Sequence, residues 1–486
     1  MTNADAPAAD VVVIGSGPNG LAAAVELARH GAAVTVLEGA ATPGGGTRTE
    51  ELTLPGFKHD VCSTAHPLGV ESPFFARLPL RQHGLEWVFP RASVAHPLDT
   101  EDAVVLYPSV ADTAQQLGDD AGAYRRLLAP LVGSAPQLLP ELLGPPLHLP
   151  HHPLALARFG VRALLPATTL ARLAFRDERA RALLAGCAAH SILPLSHPVS
   201  GAVGLMFLLT AHLHPWPVAR AGSGSIARAL TSYLQSLGGV VTNGATVTSL
   251  SDLPPARAYV FDTSPRQVAT IAEPMLPSRY VERLHRYRYG PGVFKMDWAL
   301  DAPIPWRDPR CLEASTVHVG GTLGEIAEGE AAVSRGDHAT SPYVLLVQQT
   351  LFDPTRAPEG KHTAWAYCHV PAGSTRDQTD VIERQVERFA PGFRQRILAR
   401  HVMTTADIER NNPNDVGGAI TGGAATLVQM IARPAPRVDP YTTPNPRVYI
   451  CSAATPPGGG VHGMCGYHAA RSVLRRLHTL ARAHPQ

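Results

Sequence analysis

Gly15, Gly17 and Gly20 stand at the spacing GxGxxG, and Glu38 follows 18 residues after the last of them. These residue types suit one task, holding a dinucleotide. Gly15 permits a tight turn, Gly17 lets the backbone approach a pyrophosphate, and Gly20 lets a helix pack closely on a strand. Ser16, Pro18 and Asn19 complete the turn. A helix starting here presents unpaired N–H groups and its positive dipole end to phosphate. Glu38 can accept hydrogen bonds from both ribose hydroxyls. The same spacing recurs near the other end of the chain, in Gly458-Gly-Gly460-Val-His-Gly463. His462, Met464, Cys465, Tyr467 and His468 crowd that second loop.

The surrounding text supplies the elements that must position these residues. Residues 10–14 are a β-branched run suited to a buried parallel strand. Residues 21–30 form a strong helix closed by Gly31, and residues 33–37 a second strand ending on Glu38. Residues 43–48 make a glycine loop where the backbone must approach something closely, and residues 54–60 read as a short hairpin. From about residue 74 to 215 the text is helical and punctuated by proline, with an apolar stretch over 199–213 that reads as a buried helix. That stretch is shorter than the ~20 residues a bilayer span needs. A helix is expected up to residue 237, then strands over 240–242, 245–250 and 258–262. Strands over 293–300 and 343–349 and a helix over 377–389 follow, then a strand over 447–451 and a helix over 466–483.

The second glycine loop follows a strand and precedes a helix, yet no strand with an acid comes after it. A second dinucleotide site is therefore not expected. The loop and its helix N-terminus instead suit the reactive end of the cofactor held by the first loop. A helix N-terminus stabilises negative charge, which a reduced flavin carries at its N1–C2=O edge.

Bulk properties narrow the class. A chain of 486 residues is too long for one core. A net charge of +2 does not advertise a nucleic-acid partner. Of 42 basic residues only Lys58, Lys295 and Lys361 are lysines, a bias expected from codon composition rather than phosphate recognition. The six cysteines form no CxxC, which leaves zinc and dithiol chemistry unexpected and suits reduced thiols. The first strand follows the initiator methionine almost at once, so a cytoplasmic protein without a signal peptide is expected. His148, His151 and His152 suggest a metal at first sight, but they lie in a proline-bound loop without acids or cysteines, so no metal site is expected.

On residues 11–38, 44–57, 238–247 and 448–470 the chain resembles the phytoene dehydrogenase-like flavoproteins, and among them pyridine nucleotide-disulphide oxidoreductase domain-containing protein 2 and its bacterial relatives. These lie within the glutathione reductase-type and amine oxidase-like flavin fold. The resemblance implies an α/β chain with an FAD-binding Rossmann-like domain (residues 1–73, 216–289 and 431–486) interleaved with an α+β substrate domain (74–215 and 290–430). It implies FAD as cofactor, with the first glycine loop on the pyrophosphate, Glu38 on the ribose and Gly45, Gly46 and Thr47 beside them. Val247 would meet adenine through its backbone, and Gly459, Gly460, Val461 and Met464 would lie against the isoalloxazine. Three departures argue against a carotenoid desaturase proper. Gly46 stands where such enzymes usually have arginine, with Arg48 two residues later. Residues 452–457 replace the usual Gly-x-Gly-Thr-His-Pro, and the hairpin normally inserted after Val247 is nearly absent.

A flavin dehydrogenase needs a substrate C–H bond at flavin N5 and often a base for the adjacent proton. His462 is the candidate base, against the alternative of a cap for the last helix. Lys295, amid apolar neighbours on a strand, resembles the lysine that holds water near N5 in amine oxidase-like flavoenzymes. The alternative is a lysine pointing to solvent. The expected substrate is apolar or amphipathic, with oxygen or a quinone as electron acceptor. Saturation, isomerisation or amine oxidation could occur on the same fold, as could flavin-free carriage of a lipid or prenylated partner. A disulfide reductase is excluded by the missing cysteine pair. Arg158, Arg162, Arg172 and Arg176 would mark either a peripheral membrane contact or a solvated face over a leucine stripe.

Overall fold

The computed structural model describes residues 9–99 and 102–483. Five parallel strands form one sheet, in the order Val448–Ile450, Ala258–Phe261, Val11–Ile14, Val34–Leu37, Val240–Thr242. Val11–Ile14 lies at its centre, and this explains the unbroken β-branched run. Val11 and Val13 enter the core shared with helices Pro18–Arg29 and Met464–Ala483. Val12 and Ile14 enter a second core on the opposite face. A strand covered on both faces has no polar side to show.

The second sheet has seven strands, in the order Ile397–Met403, Gly292–Leu300, His362–Val370, Val344–Val347, Ala314–Val319, Ala92–His96, Val104–Leu106. All neighbours run antiparallel except Ala314–Val319 with Ala92–His96. Strand alternation sorts the side chains of Gly292–Leu300. Phe294, Met296 and Trp298 pack towards helix Thr379–Phe389. Val293 packs towards the helices of residues 121–213, and Lys295 and Asp297 share its face by register.

Three expectations need correction. The proline-rich middle is not purely helical, because Ala92–His96 and Val104–Leu106 are strands. Both are short: Ala92–His96 is held by pairing with Ala314–Val319, far along the chain, and Val104–Leu106 pairs only with Ala92–His96 at the sheet edge. The strand expected over 245–250 is absent. There the Asp252 carboxylate accepts the N–H groups of Thr248 at 2.8 Å and Ser249 at 2.9 Å. Side chains that take backbone donors compete with a sheet ladder. The histidine loop also has an acid after all: Glu141, from helix Ala135–Leu142, contacts His148 and accepts the N–H groups of His151 and His152 at 2.8 and 3.0 Å.

Candidate functional site

The first glycine loop turns between Val11–Ile14 and helix Pro18–Arg29. Gly15 has φ +96° and donates its N–H to Leu37 at 2.8 Å. An added Cβ at Gly20 would lie 2.2 Å from the Gly15 carbonyl oxygen and 2.8 Å from Asp262 Oδ2. One at Gly17 would lie 2.6 Å from the same Asp262 oxygen. Asp262 was not legible as a site residue. It ends Ala258–Phe261, which becomes the neighbour of the first strand only once the sheet forms. Its Oδ2 accepts the Gly20 N–H at 2.8 Å, and burial, reinforced by the Glu38 charge, pushes its carboxyl well above the ordinary range. Through that hydrogen bond the Asp262 side chain braces the loop.

Glu38 stands at the end of the second strand, as the ribose role requires. Its carboxylate accepts from Ser16 N–H at 2.9 Å, Ser16 Oγ at 2.5 Å and Ala40 N–H at 2.8 Å. The loop of residues 43–48 lies across this turn. A Cβ on Gly45 would come within 3.1 Å of Gly17 Cα, and Gly44 donates its N–H to Ser16 Oγ at 3.3 Å. Thr47 is buried, its hydroxyl donating to Gly44 O at 2.7 Å. Val247 sits beside the same sheet edge, half-buried against the core that contains Ile14 and Leu37.

The tertiary fold brings the two glycine loops together. A Cβ on Gly466, in the first turn of helix Met464–Ala483, would lie 1.9 Å from Asn19 O and 2.8 Å from Ala23 N. One on Gly463 would meet Ala22 at 2.9 Å. The N-terminal turns of the two helices therefore touch, backbone to backbone. Gly459 and Gly460 continue the second loop. A Cβ on the former would meet Thr421 O at 2.7 Å, and on the latter the Leu68 side chain at 2.9 Å. Val461 is half-buried and Met464 buried. Buried Arg433 ties this region down by donating to Ala453 O at 2.9 Å, Ala454 O at 3.3 Å and Tyr287 Oη at 3.1 Å. These residues fit a dinucleotide: the glycines let the backbones of the two loops approach closely without side chains between them, and buried Asn19 Oδ1 has no partner among the described residues.

A cavity opens beside Gly45 and Gly46, with Arg48, Cys62, Lys295, Trp365, Tyr367 and Asp415 in its wall. Lys295 is buried, which overturns the solvent-facing alternative. It is ion-paired to Asp297, and its Nζ stands 6.0 Å from the Trp365 ring centroid. Burial alone would raise the Asp297 carboxyl, but the charge of Lys295 and the hydrogen bond from His401 hold it below the usual carboxylate range. An ammonium has three donors and Asp297 takes one, so two can serve a bound molecule or water. Arg48 spends Nη2 on Asn411 O at 2.9 Å and on the Asn411 side chain. Burial pushes the Asp415 carboxyl up to about 7 and the Cys62 thiol up to about 12.

His462 is not among these wall residues. It is fully buried, and its Nδ1 accepts the Met464 N–H at 3.0 Å, which caps the last helix. Burial lowers its pKa to about 4. The geometry thus supports the cap rather than the base. Replacing His462 by alanine should cost about 1 kcal/mol of stability in a thermal melt, as lost caps do. A general base would instead lose about 100-fold or more in rate at unchanged stability. Cys465 is likewise buried, with burial raising its thiol to about 11.

Residues 13–78 match the family model described as NAD(P)-binding Rossmann-like domain. Over nearly the whole chain the sequence is similar to pyridine nucleotide-disulfide oxidoreductase domain-containing protein 2 of Rattus norvegicus, with 27% identity covering 97% of this chain and 94% of that protein. It is 26% identical to a phytoene dehydrogenase of Streptomyces griseus, covering 95% and 94% respectively. The fold is that of putrescine oxidase in its wild-type form bound to putrescine, with a TM-score of 0.60 at 17% identity, covering 98% of this chain and 99% of that one.

Proposed function

We propose that the chain is an FAD-dependent oxidoreductase acting on an apolar or amphipathic organic substrate. The observation that carries this reading is the contact between the N-terminal turns of helices Pro18–Arg29 and Met464–Ala483, beside a cavity walled by Gly45 and Gly46. A nicotinamide dinucleotide needs only the first loop. A second helix N-terminus brought to the same place suits a cofactor that becomes anionic at its far end. The likeness to a phytoene dehydrogenase and to an amine oxidase fold supports the same reading.

FAD, when bound, would supply a hydride acceptor at N5, with oxygen or a quinone as the terminal electron acceptor. The chain's own residues do the rest. The first glycine loop and its helix N-terminus would receive the pyrophosphate, Glu38 would take the ribose hydroxyls, and Val247 would meet the adenine. Gly459, Gly460, Val461 and Met464 close the far end. Lys295, ion-paired to Asp297, would offer its remaining donors to a water or substrate atom in the cavity. The apolar part of the wall, Val61, Val293, Met403, Ile408 and Ile420, would exclude bulk solvent and suit an apolar portion of the substrate.

Purified protein should be yellow and release FAD on denaturation. A colourless chain that takes up no FAD at micromolar concentration sinks the proposal. After photoreduction and rapid mixing with oxygen or a quinone, Lys295→Met should reoxidise about a hundredfold more slowly with its flavin content intact, the loss expected of one aligned donor. An unchanged rate removes Lys295 from the mechanism.

A further inference from the structure

Residues 142–176 contain no aspartate or glutamate, four arginines and three histidines. The structure makes them two helices, Pro153–Ala163 and Ala167–Ala174, meeting at 96°, preceded by the loop that Glu141 fastens. Each helix buries one side: Ala155, Phe159 and Ala163 in the first, Leu170 and Ala171 in the second. Their other side should be polar in a protein that meets only water. Instead Leu149 is 91% exposed, Leu154 77%, Val161 73% and Leu173 74%, with Leu147 and Leu164 also exposed.

Arg158, Arg162, Arg172 and Arg176 are exposed beside these leucines, and none has an ion-pair partner among the described residues. At 100° per residue, Leu154, Ala157, Val161 and Leu164 form one stripe of the first helix, and Arg158 and Arg162 flank it. An apolar stripe with a cationic flank and no acids matches an anionic lipid surface, where leucine enters the acyl boundary and arginine meets the headgroup phosphates. A second copy of the chain fits worse, since a two-fold contact through this face would set arginine against arginine.

We infer that this L-shaped helix pair, with the loop bearing Leu147 and Leu149, docks the protein on the surface of an anionic bilayer. The insertion is shallow: no single helix among the described residues is long and apolar enough to cross a membrane, and this pair, long and apolar enough only when taken together, is bent by 96° and keeps one side of each helix buried in the protein. The inference is independent of flavin and stands or falls separately from the proposed chemistry.

Sedimentation of the full-length protein with vesicles tests it. Binding to phosphatidylcholine containing about a third phosphatidylglycerol should exceed binding to pure phosphatidylcholine by about tenfold, and should fall severalfold between roughly 0.1 M and roughly 0.5 M salt. Leu149→Ser/Leu154→Ser/Leu173→Ser should fold normally, because all three side chains are exposed, and should lose about tenfold or more in vesicle binding. Arg158→Gln/Arg162→Gln should lose mainly the salt-sensitive part. Equal recovery in the supernatant with and without anionic vesicles overturns the inference. So does a wild-type dimer in analytical ultracentrifugation that the triple serine variant converts to monomer, which would assign the patch to self-association.

Discussion

A Gly466→Ala chain should retain almost no flavin at concentrations that saturate the wild type. The methyl group would lie 1.9 Å from the Asn19 carbonyl oxygen and 2.8 Å from the Ala23 nitrogen. Both are backbone atoms in helix Pro18–Arg29, so no rotamer change relieves the contact and the two helices must separate. Overpacking of this kind costs about 1–3 kcal/mol in a tight interior. The displacement falls on the turn that joins the two glycine loops, where it should weaken cofactor affinity by about a hundredfold, as small misplacements of positioning elements do. Flavin retained per chain after gel filtration measures this. Leu477→Ala, on the same helix but far from its first turn, should keep its flavin. Full flavin retention by Gly466→Ala would show that the two loops do not serve one cofactor.

Asp60→Asn should be among the most destabilising single substitutions in the chain, by about 3–5 kcal/mol, the usual cost of leaving one charge of a buried pair alone. Asp60 and Arg356 are both fully buried, and the carboxylate receives Arg356 Nη2 at 2.5 Å. It also accepts from Thr49 Oγ1 at 2.8 Å, Thr64 Oγ1 at 2.6 Å and Ser223 N–H at 2.8 Å. One carboxylate thus joins the short ribbon of residues 49–60, the start of helix Gly224–Ser236, and a segment between two strands of the seven-stranded sheet. Denaturant unfolding of the two proteins measures the difference, and a change below about 1 kcal/mol, the scale of an exposed ion pair, would contradict this account.

The same network has a pH signature. Burial would raise the Asp60 carboxyl, but Arg356 and the hydrogen bonds outweigh it and hold it at about 2, below the ordinary 3.8. A folded-state pKa below the unfolded one gives stability that is complete above 3.8 and lost as pH falls towards 2. Its size is on the order of 2 kcal/mol. Buried histidines act earlier. Burial lowers His66 and His96 to about 4 from 6.5, so their contribution is complete above 6.5 and lost as pH falls towards 4. Thermal melts of the wild type should weaken in two stages on acidification. Asp60→Asn should keep the upper stage and flatten the lower one.

The nucleotide unit was legible because its signals are local. The turn at Gly15, the helix after Pro18 and the acid at Glu38 lie within one strand–helix–strand unit, and each follows from steric or dipole rules acting over a few residues. The long strands and the last helix were legible from their periodicity. Ala92–His96 and Val104–Leu106 were not, since the first is placed by pairing with distant Ala314–Val319 and the second is a three-residue edge strand that forms only on the first. The site divides in the same way. Sequence could name Lys295 but not decide its direction, because strand alternation gives two faces and only the packed sheet says which one is covered. It could name His462 without showing that its Nδ1 is committed to the Met464 N–H. Asp262, Asp415 and the Asp60–Arg356 pair carried no local sign at all. Their burial, partners and titration arise where separate segments meet, and a linear pattern holds no record of which segments those are. What the sequence determined alone is a dinucleotide turn and a second glycine loop. That the two loops touch, and that a buried lysine stands in the cavity beside them, was decided by the tertiary structure.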